Sequence, residues 1–154
     1  MVEESEYTTL YENFGGGEDR AGSGTNNHAW SGGGLTVLSQ YVCGLYPLEP
    51  AWKTFQVKPQ PGFLKSAATG NTTVAGDISV RVEQDKSLFT IHLTVPSDTQ
   101  AIVCIPGDHN SVEVNGTQVF KKKTISNELV SFEGREDGYN RFKVRAGKFI
   151  FQAK

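Results

Sequence analysis

The sequence has little of what several classes of protein require. Two cysteines among 154 residues are too few for a disulfide-dense scaffold or a four-cysteine zinc site. No apolar run approaches the roughly 18 residues of a membrane-spanning helix, and the acidic first residues lack the apolar core of a signal peptide. The formal net charge of −2 argues against nucleic-acid binding, which requires a basic face. We therefore expect a soluble globular chain with no membrane and no nucleic acid among its partners.

Cofactor and metal motifs are also missing. Eight of the 17 glycines lie in the first 34 residues, but no Lys-Ser/Thr of a phosphate-binding loop follows these glycine runs. The three histidines, His28, His92 and His109, are far apart, and no two of them have metal-ligand spacing on one element. The sequence therefore predicts no cofactor and no metal site.

The segment 25–45 has the apolar spacing of a helix. Four residues recur at the intervals that place apolar side chains on one helix face, namely Leu35, Leu38, Val42 and Leu45. Gly44, followed by Pro47, is expected to end the helix because glycine favours a helix C-terminus and proline cannot continue it.

After Pro50 the apolar residues alternate with polar ones, which is typical of strands with one buried face. The run 101–105 is continuously apolar and predicts a strand buried on both faces. Asn115-Gly116 suits a type I′ hairpin turn, because both residues adopt positive φ readily. Eight or nine short strands in 51–154, with no helical segment between them, predict a mainly β chain. The expected fold is an antiparallel, jelly-roll-like β-sandwich preceded by one α-helix.

Two kinds of residue could carry chemistry. Asn27, His28 and Trp30 combine hydrogen-bonding groups with a ring, which suits a sugar but also fits a helix start followed by a buried aromatic. Glu12 lies between aromatic residues, an environment in which a carboxylate can act as an acid or a base, although a lone glutamate is commonly a surface residue. Cys43 and Cys104, on the helix and in an apolar strand, are expected to be buried free thiols.

Several segments resemble those of the bacterial α-L-rhamnosidases. Residues 8–14 read TTLYENF, similar to the family's T-T-x-[WY]-E-x-[WF] segment, and residues 26–33 read NNHAWSGG, similar to the N-H-x-[WF]-[GS] segment after it. Residues 45–53, LYPLEPAWK, and 57–61, VKPQP, resemble the link into the family's C-terminal β-sandwich. The order and spacing of these segments agree, and the resemblance covers essentially the whole chain.

The resemblance implies a division into residues 1–50, the C-terminal end of a truncated catalytic (α/α)6 barrel, and residues 51–154, the C-terminal β-sandwich. It implies a glycoside hydrolase that removes terminal rhamnose with inversion, in which Glu12 is the general base. The residues that it implies for substrate binding are His28, Trp30 and Asn27. An inverting enzyme also needs a general acid, which in this family lies earlier in the barrel. We therefore expect a C-terminal fragment that is inactive alone.

Further expectations concern partners. In a whole enzyme the apolar stripe of the helix 25–45 would pack on other barrel helices. Without them we expect the exposed helix to find another partner, which is the sandwich, a second copy of the chain through self-association, or a neighbouring molecule in a crystal. The expected ligand of the parent enzyme is a rhamnose-containing carbohydrate. The location of the parent enzyme is not determined, and the periplasm and the outside of the cell are the two candidates. The alternative is a non-catalytic carbohydrate-binding or structural β-sandwich module. An exposed row of aromatic residues on one sheet face would distinguish a binding module.

Overall fold

The computed structural model describes residues 28–121, 123–124 and 128–154. Contacts between residues group the chain into two compact units, Met1–Leu38 and Ser39–Lys154. The division predicted from the resemblance, after residue 50, remains a prediction about where the two family domains meet. No helix in the described part of the chain has the length and apolar character needed to cross a membrane.

Short helical segments of three types occupy the region of the predicted helix 25–45. They are a 3-10 helix at Ala29–Gly32, the α-helix α1 at Gly33–Val37 and a π-helical turn at Leu38–Val42. Helix α1 buries none of its residues, and no side chain caps its start at Gly32. Because most helical stability comes from packing an apolar face, and glycine opposes helix formation, the α-helix is only five residues long.

The predicted helix is therefore too long at its C-terminal end. Leu45 is the first residue of strand β1, and Gly44 before it has a positive φ, as expected of a helix-ending glycine. Residues 25–27 lie outside the described residues. Of the four stripe residues, Leu35 and Leu38 are exposed, whereas Val42 is half-buried and Leu45 is buried in the core of the sandwich. Self-association through this segment remains a prediction.

Strands make up most of the remaining described chain. They are β1 (Leu45–Pro47), β2 (Thr54–Val57), β3 (Ser66–Thr73), β4 (Gly76–Gln84), β5 (Phe89–Val95), β6 (Gln100–Pro106), β7 (Ser111–Val114), β8 (Thr117–Lys121), β9 (Lys123–Thr124), β10 (Val130–Glu136), β11 (Tyr139–Val144) and β12 (Gly147–Ala153). A 3-10 turn at Pro50–Trp52 separates β1 from β2.

The strands form two sheets. One has five strands in the order β1-β2-β6-β11-β10, and the other has seven in the order β3-β4-β5-β12-β7-β8-β9. Strands β2 and β6 run parallel, whereas the other strand pairs of the described residues are antiparallel. This exception arises because β3–β5 belong to the other sheet, so that the chain leaves the five-stranded sheet after β2 and re-enters it at β6.

Side chains from both sheets meet in one hydrophobic core. The ring centroid of Phe142, on β11, lies 6.2 Å from that of Phe151 on β12, across the two sheets. Phe120 of β8 and Phe132 of β10 lie 6.1 and 5.4 Å from Phe142. Removing these rings from water and packing them together is a major source of the stability of the sandwich. The predicted mainly β, antiparallel sandwich preceded by one α-helix is thus confirmed among the described residues, with an α-helix shorter than predicted.

Two strands show where side-chain patterns predict strands well and where they fail. Residues 101–105 of β6 are buried throughout, as their continuous apolar run predicted. Strand β3 was not predicted, because its residues are small or polar. It is an edge strand that pairs with β4 along its full length, from Ser66 opposite Glu83 to Thr73 opposite Gly76. Main-chain pairing, which the side-chain pattern does not report, therefore forms this strand.

Both cysteines are buried and free, as predicted. Burial raises the pKa of Cys104 to about 11 and also raises the pKa of Cys43. Because the thiolate is the reactive form, we expect a disulfide reagent at pH 8 to label native Cys104 about 100-fold more slowly than an ordinary thiol. The rate of DTNB reaction measures this, with the guanidinium-unfolded chain as the fast-reacting control. Equally fast labelling of Cys104 in the folded and unfolded chains would contradict the prediction.

Candidate functional sites

The residues predicted to bind and hydrolyse a sugar are described only in part. Glu12 and Asn27 lie outside the described residues. His28 is half-buried and comes directly before the 3-10 helix Ala29–Gly32. Trp30 lies in that helix, where its backbone alone is described. The roles of these four residues therefore stay predictions.

A second candidate site lies on the outer face of the seven-stranded sheet. Six residues of β4, β5 and β12 form two adjacent cross-strand rows on this face, Arg81–His92–Ile150 and Ser79–Thr94–Lys148. They alternate along their strands with core residues, so their side chains project to the opposite, solvent side. They line a depression of about 860 Å³, hereafter the outer-face depression.

The β7–β8 turn closes one side of this depression. Asn115 and Gly116 have φ values of 50° and 79°, as the predicted type I′ turn requires. The Asn115 side chain donates from Nδ2 to the Lys148 carbonyl oxygen (3.1 Å) and accepts at Oδ1 from the Ile150 N–H (2.8 Å). Strand β7 itself pairs with β12 only from Phe151 onward. The Asn115 side chain thus continues the hydrogen bonding of β12 where β7 has ended.

The depression is lined by two cationic side chains, Arg81 and Lys148, and the carboxylates of Glu83 and Asp77 lie beside it on the same sheet face. Arg81 donates from Nε to Glu83 Oε1 (2.7 Å), and His92 Nε2 lies 3.6 Å from Glu83 Oε2. The hydrogen bond from Arg81 is the main reason that the pKa of Glu83 is held below its usual value, so this carboxylate is ionised at neutral pH and offsets one positive charge. Lys148 has no ion-pair partner among the described residues.

This arrangement is suited to binding rather than to hydrolysis. The lining of the depression contains no carboxylate, so it cannot supply the acid–base pair of a glycosidase. Across the described part of the chain, no three metal-ligating side chains come together. In the sequence His92 lies on the polar face of an alternating run, far from the other two histidines, and nothing there indicates a role for it. Pairing the alternating residues 78–82 with residues 89–95 as a hairpin across the polar residues 84–87 would have indicated that His92 lies beside Arg81.

Comparison with protein families identifies the sandwich. Residues 44–120, half of the chain, match the family model of the bacterial alpha-L-rhamnosidase C-terminal domain. The chain belongs to this family. The match begins just before β1 and ends in β8, and it confirms the resemblance noted from the sequence. No curated protein sequence matches the chain.

Solved structures of α-L-rhamnosidases share the fold. The structure of the enzyme from Dictyoglumus thermophilum has a TM-score of 0.81 at 21% identity and covers 96% of this chain. The Streptomyces avermitilis enzyme complexed with L-rhamnose has a TM-score of 0.68 at 26% identity over 84% of this chain, and the native Aspergillus terreus enzyme 0.62 at 22% over 85%. The matched regions are 16%, 11% and 12% of those chains, so this chain spans a small part of their length.

The described sheets have no aromatic binding platform. Of the large hydrophobic residues that are exposed in the described part of the chain, only Tyr46 on β1 and Ile150 on β12 lie on strands, and they belong to different sheets. A row of exposed rings on one face, the feature expected of an aromatic sugar-binding module, is therefore not found among these residues.

Proposed function

We propose that this chain is the C-terminal part of an α-L-rhamnosidase-like glycoside hydrolase, which removes terminal rhamnose from glycans or glycosides with inversion. The family match over residues 44–120 carries the proposal. The likeness to the Streptomyces avermitilis enzyme, solved with L-rhamnose, supports rhamnose as the sugar. In this proposal residues 1–50 end the catalytic barrel and residues 51–154 are the sandwich that follows it.

The proposed roles follow inverting chemistry. A general base activates water while a general acid protonates the leaving oxygen, with the two carboxyl groups about 6.5–9.5 Å apart. Glu12 is proposed as the base, and the acid is proposed to come from the part of the parent protein that precedes this chain. The residues proposed to contact rhamnose are His28, Trp30 and Asn27.

The 154-residue chain alone is expected not to hydrolyse an aryl α-L-rhamnoside, because half of the proposed acid–base pair is absent from it. Release of the chromogenic aglycone at high chain concentration measures this. Glu12→Gln tests the base, and Glu18→Gln, in the same acidic stretch, is its matched control. Turnover that Glu12→Gln abolishes and Glu18→Gln leaves intact would contradict the expected inactivity.

Rhamnose binding by the labelled chain tests the proposed subsite separately from turnover. If the subsite is already formed, amide shifts on titration with millimolar L-rhamnose are expected to be confined to residues 9–31, including His28 and Trp30. His28→Ala is then expected to weaken these shifts, and His109→Ala, in the turn between β6 and β7 and far from residues 9–31 in the sequence, to leave them unchanged. Shifts confined to the sandwich instead would favour the non-catalytic binding module.

A further inference from the structure

We propose that the outer-face depression binds a carboxylate-bearing oligosaccharide, a glycan that contains uronic acid residues. The proposal stands on the geometry of the seven-stranded sheet and does not depend on the activity proposed for the parent enzyme. Nothing in it involves Glu12 or the predicted rhamnose subsite.

The first argument is the position of the charges. Arg81 and Lys148 occupy opposite corners of the two cross-strand rows, since they are separated by two strand spacings and one side-chain repeat. From standard sheet dimensions their Cα atoms are roughly 12 Å apart. His92 lies in the Arg81 row on the intervening strand. An anionic ligand that lies diagonally across the depression would therefore meet a cationic side chain at each end, Arg81 at one and Lys148 at the other.

The second argument is that these cationic groups remain usable. Glu83 engages Arg81 through Nε–H, and the guanidinium has further N–H donors that can hold a carboxylate. The side chain of Arg81 is 59% exposed, which makes it accessible to a ligand. Lys148 is exposed and has no ion-pair partner among the described residues. An anion could thus bind without first displacing Glu83.

The third argument distinguishes a sugar from a simple anion. Ser79 and Thr94 are short and lie between the longer side chains, where they leave space and offer hydroxyl groups. Ile150 is 42% exposed and presents an apolar surface beside them. Hydroxyl groups next to aliphatic surface complement a sugar ring, and about 860 Å³ lies within the size range of small-ligand sites. A carboxylate-bearing oligosaccharide satisfies the charge, the hydroxyl groups and the volume together.

Titration of the full labelled chain with α-1,4-linked trigalacturonate at low salt tests the proposal. Amide shifts are expected to concentrate on the six residues of the two cross-strand rows, and added sodium chloride is expected to weaken binding by screening. The methyl ester of the same trisaccharide is the matched neutral ligand, and sodium acetate at equal carboxylate concentration is the matched simple anion. Both are expected to bind at least about ten-fold more weakly.

A charge-matched pair of variants tests the location. Arg81→Gln with Lys148→Gln is expected to weaken trigalacturonate binding at least about ten-fold, because two charged donors are lost. Lys86→Gln with Arg145→Gln removes the same charges from exposed positions outside the depression and is expected to change binding by less than about two-fold. The single variant Lys148→Gln breaks no ion pair and is also expected to weaken binding. It tests the site even if the double variant, through its loss of Arg81, disturbs the sheet.

Four results of the ligand titrations would overturn the proposal. They are no binding of trigalacturonate at millimolar concentration, equal binding of the methyl ester, equal competition by acetate, and shifts that lie mainly outside the depression. Equal weakening by the two double variants would also overturn it, since the effect would then reflect net charge rather than this site.

Discussion

Replacing Phe142 with alanine is expected to lower the free energy of unfolding by about 3–5 kcal/mol. Phe142 is fully buried, and its ring neighbours come from β8, β10 and β12, so it joins the two sheets. Alanine would leave a cavity between sheets whose backbones are held by their ladders and cannot close around it. Guanidinium unfolding followed by circular dichroism measures the change.

Two variants accompany this measurement. Phe63→Ala removes a ring that is 96% exposed and is expected to change stability by less than about 0.5 kcal/mol. Phe142→Leu retains most of the apolar volume, and its loss should fall between those of the two alanine variants, which keeps the test informative if Phe142→Ala does not fold. Similar losses for Phe63→Ala and Phe142→Ala would mean that the cross-sheet ring cluster is not a centre of stability.

Gly44→Ala is expected to cost about 2–5 kcal/mol. Gly44 has a φ of +72°, and a Cβ atom there would overlap the backbone carbonyl group of Lys58. The Gly44 carbonyl oxygen also accepts a hydrogen bond from the Lys58 N–H (3.0 Å), next to the ladder that pairs β1 with β2. Relieving the overlap would move one of these strands and disturb the edge of the five-stranded sheet.

Gly62→Ala separates the cost of a positive φ from the cost of the steric overlap with the backbone. Gly62 has a similar φ of +59°, but a Cβ atom there would meet nothing within 4 Å. Its expected cost is therefore the conformational one alone, about 1–2 kcal/mol. Chemical unfolding of both variants checks the difference. If Gly44→Ala cost no more than Gly62→Ala, the close approach of Lys58 would have no energetic importance.

Binding at the outer-face depression would give the sandwich a role of its own in the proposed parent enzyme. A weak second contact with the same glycan raises the effective concentration of the substrate at the first site. Loss of Arg81 and Lys148 should then act on the affinity of the parent for charged polysaccharides and leave the hydrolysis of a small aryl rhamnoside unchanged. A loss of affinity without a change in hydrolysis would show that the depression acts independently of the proposed catalytic residues.

The spacing of apolar and polar residues along the chain predicted those elements whose burial depends on their own side chains. The alternating residues of β4 and β5, the apolar run of β6 and the Asn115-Gly116 turn all form as expected, because side-chain spacing or backbone preference decides each of them locally. The helix predicted from the apolar stripe was wrong at its C-terminal end, because Leu45 belongs to strand β1. Pairing with β2, a non-local interaction, competes there with helical spacing.

The sequence by itself determined the class of fold, the two buried thiols and, through its resemblance to a family, the identity of the sandwich. Only the tertiary structure decided the parallel pairing of β2 with β6, the existence of β3 and the outer-face depression. The β2–β6 pairing and the depression depend on main-chain pairing between segments distant in the chain, whereas β3 forms by pairing with β4, the next strand along the chain. The depression joins residues 79–94 to 148–150 through strand register, and register becomes visible only when the strands are placed side by side.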